Sequence, residues 1–303
     1  MLKRSEKENK SKKLPVIMTI IALFLIILFA FLLNLKGQSN KSQTRSSSSA
    51  HTVSTIAKTS SKPVEKPWLT SNGQVNQLPI LMFHYVNTQM PDSNTMTPEI
   101  FESDLKSLVD QGYYTVNSTE ALRILTTNEK PSNKMIWLTF DDGSIDLYTT
   151  VFPLLKKYHL HATAMIVTGN LANGTVTEAQ IKEMKASGLI DFQSHTVSHI
   201  DLSTADDASA TLQLQQSKAW LDQTLHQKTS VICYPAGKFS AQTEEIAKSL
   251  GYKIGLQEGD AIAEGNSNLF EIPRLRMSSG TNAQLLMQMI QPAESYNVKN
   301  TAP

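Results

Sequence analysis

From Trp68 onward, short apolar runs alternate with segments whose apolar residues recur every three or four positions. This alternation restricts the fold more than any other feature of the chain. Runs apolar on both faces read as buried parallel strands, and the intervening segments as helices that cover them. Strands are expected at "LPILMFHYV" from Leu78, Tyr113–Val116, "MIWLTF" from Met135, "ATAMIVT" from Ala162, Ile190–Phe192, "SVICYP" from Ser230, Lys253–Leu256 and Glu271–Met277. Helices are expected between them. The clearest has Thr97 as its N-cap, Pro98 in its first turn and Gly112 as its stop. Repeated βα units imply a mainly parallel sheet with helices outside it. About seven or eight strands in a domain of this length favour a closed or nearly closed barrel over an open doubly wound sheet.

Residues 1–66 read differently. Residues 15–35 carry no charge, and the run "PVIMTIIALFLIILFAFLL" is long enough as a helix to cross most of a bilayer's hydrocarbon core. It exceeds the apolar region of a secretory peptide, and no small-x-small site closes it, so an uncleaved signal anchor is expected rather than a cleaved leader. Residues 1–14 hold six basic side chains against two acidic ones, a flank that stays cytoplasmic and places the rest of the chain on the cell-wall side of the membrane. Residues 36–66, rich in Ser, Thr and Lys, bury too little to fold and read as a flexible linker to a domain spanning 67–303.

The net charge of +1 hides a partition, because residues 67–303 carry 24 acidic against 16 basic side chains. An acidic outer domain argues against nucleic acid as a partner. The single cysteine, Cys233, excludes an internal disulfide and makes a cysteine-based metal site implausible. Nothing in the sequence sets an oligomeric state.

Asp141 and Asp142 follow the strand "MIWLTF" directly, at the end where barrel enzymes place their chemistry. Adjacent carboxylates repel unless a cation or a shared proton separates their roles, which fits one as a metal ligand and one as a base. His195 and His199 are spaced so that a helical turn would put both rings on one face. One carboxylate and two imidazoles make a three-ligand set with an open position.

"TFDDG" followed by "SHTVSH" resembles the polysaccharide deacetylase family, carbohydrate esterases that share the NodB homology domain, over about Leu78 to Ile290. The resemblance implies a distorted (β/α) barrel and metal-assisted removal of acetyl groups from N-acetylated sugars. It assigns Asp141 as the base and Asp142, His195 and His199 as ligands of a divalent ion, usually Zn²⁺, with Co²⁺ or Mn²⁺ also suited to this donor set. Where many members carry Arg-x-Pro-Tyr-Gly, this chain has Cys233-Tyr234-Pro235-Ala236-Gly237. The backbone N–H of Ala236 can still serve an oxyanion, with Tyr234 beside it. The missing arginine leaves Arg274 and Arg276, two apart on a strand, as candidates to orient the base.

The family's C-terminal histidine is also missing, since no histidine follows His226. A circularly permuted subset, resembling deacetylases of poly-N-acetylglucosamine, supplies that acid from an N-terminal "LMYH"-like strand. "LMFH" makes His84 the matching residue. The expected function is therefore de-N-acetylation of N-acetylglucosamine residues in peptidoglycan, poly-N-acetylglucosamine or the linkage sugars of a wall polymer. An O-acetyl esterase and an inactive glycan-binding module are the alternatives.

Overall fold

The computed structural model describes residues 67–71, 73–89 and 93–291. The expected tail, membrane anchor and linker lie outside the described residues. Among the described residues, no helix is long and apolar enough to cross a membrane.

One eight-stranded sheet organises the domain. Its strands are β1 (Ile80–Phe83), β2 (Tyr114–Thr115), β3 (Met135–Phe140), β4 (Ala162–Ile166), β5 (Ile190–Ser194), β6 (Val231–Cys233), β7 (Ile254–Leu256) and β8 (Leu275–Arg276). Seven of them run in the order β7-β6-β5-β4-β3-β1-β8, while β2 pairs with the start of β3, and every pairing is parallel. The ends of this path meet along a short seam, bridged at Leu256–Ile272 and at Gly259–Arg274. Ile272, just before β8, bridges Leu256 of β7, and its N–H donates to the Gly255 carbonyl at 2.9 Å. The result is an α/β sheet curved as a distorted barrel, joined along that seam by isolated bridges rather than a full strand pair.

Alternation along β3 shows how the barrel fills. Ile136, Leu138 and Phe140 pack outward in one cluster with Phe101, Leu105, Leu155 and Ile181 of the surrounding helices. Met135 and Trp137 turn inward with Leu78, Ile80, Met165 and Cys233. Trp137 is fully buried and its indole N–H donates to Thr163 Oγ1 at 2.7 Å, which satisfies its one polar atom.

The helices are α1 (Pro98–Asp110), α2 (Ser118–Thr126), α3 (Phe152–Tyr158), α4 (Glu178–Ala186), α5 (Asp207–Leu225), α6 (Ala241–Ser249) and α7 (Ala283–Met289). Thr97 caps α1 by accepting from the Ile100 N–H, as the sequence suggests. Phe101, Leu105 and Leu108 form its buried stripe, and Val109 is exposed. The strand expected across "LPILMFHYV" is interrupted at His84, with Tyr85–Val86 pairing separately with Thr95–Met96. The strand expected over Glu271–Met277 is reduced to β8. Pro273 has no N–H for a ladder, and the chain changes partner there from β7 to β1.

Candidate active site and metal centre

All the parallel strands deliver their C-terminal ends to one rim, and the chemistry collects there. Asp141 leaves β3 with its N–H on the Phe83 carbonyl at 2.9 Å. Asp142 and Gly143 then take left-handed backbone angles, φ 68° and 70°. Asp tolerates that region better than most residues, and at Gly143 a Cβ would also meet Ile166 Cδ1 at 2.9 Å. The Asp-Asp-Gly order thus throws the two carboxylates apart: Asp141 is buried, and Asp142 faces the mouth half-exposed.

Asp142 meets both histidines. Its Oδ1 lies 3.5 Å from Nε2 of His195 and 3.5 Å from Nε2 of His199. One ligand atom from each of the three residues lies within 4.8 Å of the others. The two rings meet edge-on with centroids 4.8 Å apart. They do so without the expected helical turn. His195 follows the end of β5, and the chain to His199 is a tight turn with Thr196 and His199 at φ 66° and 55°.

His195 Nδ1 sits 2.8 Å from the Cys233 carbonyl, so that nitrogen carries the proton and donates it. Nε2 is then the ring nitrogen that faces Asp142 and would ligate a cation there. The donor set therefore fits a divalent cation. Burial disfavours the His195 imidazolium, but Cys233 and Asp142 outweigh it and raise the pKa. Burial and His195 lower that of His199. Burial pushes the Asp142 carboxyl up, yet His195 holds it below the ordinary carboxylate value.

A second triplet, Asp141, His195 and Cys233, is equally close-set. It does not suit a cation, because a guanidinium already occupies it. Arg274 donates from Nη1 to Asp141 Oδ1 at 2.8 Å and from Nη2 to Oδ2 at 2.7 Å, with Nη2 also 3.1 Å from Cys233 Sγ. Burial alone would raise Asp141, but this bidentate partner holds its carboxyl well below the usual range. Burial keeps Cys233 a thiol by raising its pKa. The arginine that the motif lacks at Cys233 thus arrives from the segment before β8.

Arg276 does not reach Asp141. It pairs with Glu258 and Asn94 instead. Tyr234 is also placed away from the substrate side. Its N–H is taken by the Leu256 carbonyl at 3.0 Å and its ring is buried against Phe239, at 4.5 Å between centroids. Ala236 is exposed in a left-handed turn, φ 52°.

His84 shares the inward face of Ile80 and Met82 but stands one step beyond β1, at the mouth. Its Nε2 lies 4.0 Å from Asp141 Oδ2, and its enclosed Nδ1 meets no hydrogen-bond partner among the described residues. A core histidine satisfied by backbone would look different. Two neighbours carried no sequence signal: Tyr85, whose hydroxyl lies 3.5 Å from Asp142 Oδ2, and Asp146, which accepts from the Val86 N–H at 2.6 Å and so pins the segment after His84. A groove of about 850 Å³ opens beside Asp142 and His199, lined also by Tyr85, Asn87, Ser144 and Asn170.

Fold and rim together define a barrel hydrolase with a candidate metal centre. Residues 128–255 match the polysaccharide deacetylase family model. A Bacillus subtilis (strain 168) protein named as a polysaccharide deacetylase, YxkH, is 34% identical over 205 residues, covering 67% of this chain and 72% of that one. The poly-beta-1,6-N-acetyl-D-glucosamine N-deacetylase of Staphylococcus aureus (strain MRSA252) is 25% identical over 227 residues, covering 70% and 78%. The structure of the Streptococcus pyogenes deacetylase PplD in complex with acetate superposes with a TM-score of 0.70 at 36% identity, covering 72% of this chain and all of that one. This chain belongs to the polysaccharide deacetylase family, metal-dependent carbohydrate esterases that hydrolyse N-acetyl amides. The family match includes both carboxylates and both histidines of the candidate metal centre but ends short of Arg274 and begins after His84.

Proposed function

We propose that this chain removes acetyl groups from N-acetylglucosamine residues of a cell-wall or surface polysaccharide, with a divalent cation, Zn²⁺ foremost, held by Asp142, His195 and His199. The observation that carries this is the convergence of both imidazole Nε2 atoms on Asp142 Oδ1, beside a second carboxylate kept ionised by Arg274. A cation there would polarise the acetamide carbonyl and acidify a water. Asp141 takes the proton of the attacking water, and Arg274 fixes its orientation. His84 gives a proton to the departing amine, which leaves poorly as an anion. The Ala236 N–H stabilises the oxyanion. The groove beside the ligands receives the glycan. The relatedness to the staphylococcal enzyme favours poly-N-acetylglucosamine among the three glycans, with peptidoglycan and wall-polymer linkage sugars next. The apolar run at 15–35 and its basic flank support a single-pass anchor with the barrel on the cell-wall side.

Acetate release from the three purified glycans tests this. The full chain should release acetate from at least one, lose that activity on chelation and regain it with Zn²⁺, with Co²⁺ and Mn²⁺ compared in parallel. Glycan binding without acetate release under every metal would establish an inactive binding module instead.

A further inference from the structure

The turn from His195 to His199 holds two of the three proposed ligands in a conformation that non-glycine residues keep only when held. Its backbone groups have specific partners. The Thr196 N–H donates to Ser194 Oγ at 3.3 Å and the His199 N–H to Thr196 Oγ1 at 2.9 Å. The carbonyls of Thr196 and Val197 accept from the N–H groups of Thr168 and Gly169 at 3.1 and 2.8 Å. The amides of Val197 and Ser198 both converge on one atom, Oε1 of Gln213, at 3.0 and 2.9 Å, and Gln213 Nε2 donates back to Ser198 Oγ at 2.9 Å. Gln213 comes from α5, whose Ser217 accepts from Ser194 Oγ at 2.8 Å and fixes the same segment at its other end.

We propose that Gln213 is a positioning residue for His199, clamping the turn so that its ring faces Asp142 and His195. This rests on the metal reading above. The two histidines differ in how they are held. His195 is 2% exposed and tied to the Cys233 carbonyl, whereas His199 is 43% exposed, so its placement depends on its backbone. Without the Gln213 oxygen, two adjacent amides lose their acceptor and turn toward water, and the turn gains other conformations. Arg274, Asp141 and His84 are held by other contacts. The clamp therefore acts on cation affinity and leaves turnover at saturating cation nearly intact.

The test is Zn²⁺ affinity of the metal-stripped full chain, by competition with a chromophoric chelator, for wild type, Gln213→Met and Gln213→Glu. Methionine keeps the side chain's length without the acceptor, while glutamate keeps an oxygen for both amides. Gln213→Met should bind Zn²⁺ about tenfold more weakly, with kcat at saturating Zn²⁺ within about twofold of wild type, and Gln213→Glu should restore affinity. Unchanged affinity in Gln213→Met, equal weakening in both variants, or a fall in kcat with affinity intact would each overturn the clamp. A wild-type chain that holds no Zn²⁺ would overturn the metal reading, and the clamp with it.

Discussion

Arg274 and His84 come from opposite ends of the domain's sequence and meet at Asp141 because β8 and β3 flank β1 on either side. Arg274 makes the cleaner energetic prediction. Asp141 is 2% exposed, so without the guanidinium it becomes an uncompensated buried carboxylate. In the wild type its folded pKa lies below the unfolded value, so the stabilisation is fully present above that unfolded value and is lost as pH falls through the folded one. In Arg274→Met burial would push the carboxyl up instead. The deficit should be about 3–5 kcal/mol near neutral pH and should shrink as pH falls, first as the variant's raised carboxyl takes up its proton above about 4, then as the wild type loses its ion pair below that. Urea unfolding at neutral and acid pH checks this, and a deficit independent of pH would show that the loss is packing alone. For His84 the discriminating readout is chemical. An amine needs a proton to leave and an aryl alkoxide does not, so His84→Ala should lower kcat on an N-acetyl substrate by about 10²-fold or more and on an aryl acetate far less. Equal losses on both would remove the acid role. The two aspartates and two histidines are legible because they stand in two short motifs, "TFDDG" and "SHTVSH". Arg274 was legible only as one of two candidates, since choosing between it and Arg276 needs the register of β8.

At the level of elements, legibility followed local period and failed where a partner elsewhere decides. "MIWLTF" and "ATAMIVT" stand where apolar continuity put them, with β3 at Met135–Phe140 and β4 at Ala162–Ile166. Helix α4, Glu178–Ala186, lies between two expected strands, with a Thr177–Gln180 capping box at its start. The His195-x-x-x-His199 spacing suggested a helix, yet the same spacing is served by a turn whose left-handed residues are held from α5 and the loop after β4. Spacing fixes which side chains meet and leaves open how the backbone arranges it. Helix α7 is not legible in the sequence, as seven residues with one buried side chain, Leu286, carry almost no periodic signal. The break at His84 was likewise hidden inside an apolar run. Its cause is tertiary: Tyr85–Val86 pairs with Thr95–Met96, and Asp146 takes the Val86 amide.

For the molecule as a whole, the charge partition and the apolar run make one connected claim. A domain with an excess of eight acidic side chains over basic ones would be repelled by anionic lipid, while the linker at 36–66, with six basic side chains and one acidic, is attracted to it. An uncharged run of this length inserts far more strongly than such a linker adheres. Anchoring should therefore survive high salt. After expression of the full chain in a Gram-positive host, the protein should sediment with membranes, resist extraction by concentrated salt or carbonate, and be released only by detergent. Deleting residues 15–33 should abolish export. Protease added to protoplasts should remove the barrel and spare a short N-terminal fragment, as a cytoplasmic tail requires. Release of a shortened, active chain into the medium would show that the run is cleaved as a leader, and full protection from protease would show that the orientation is reversed.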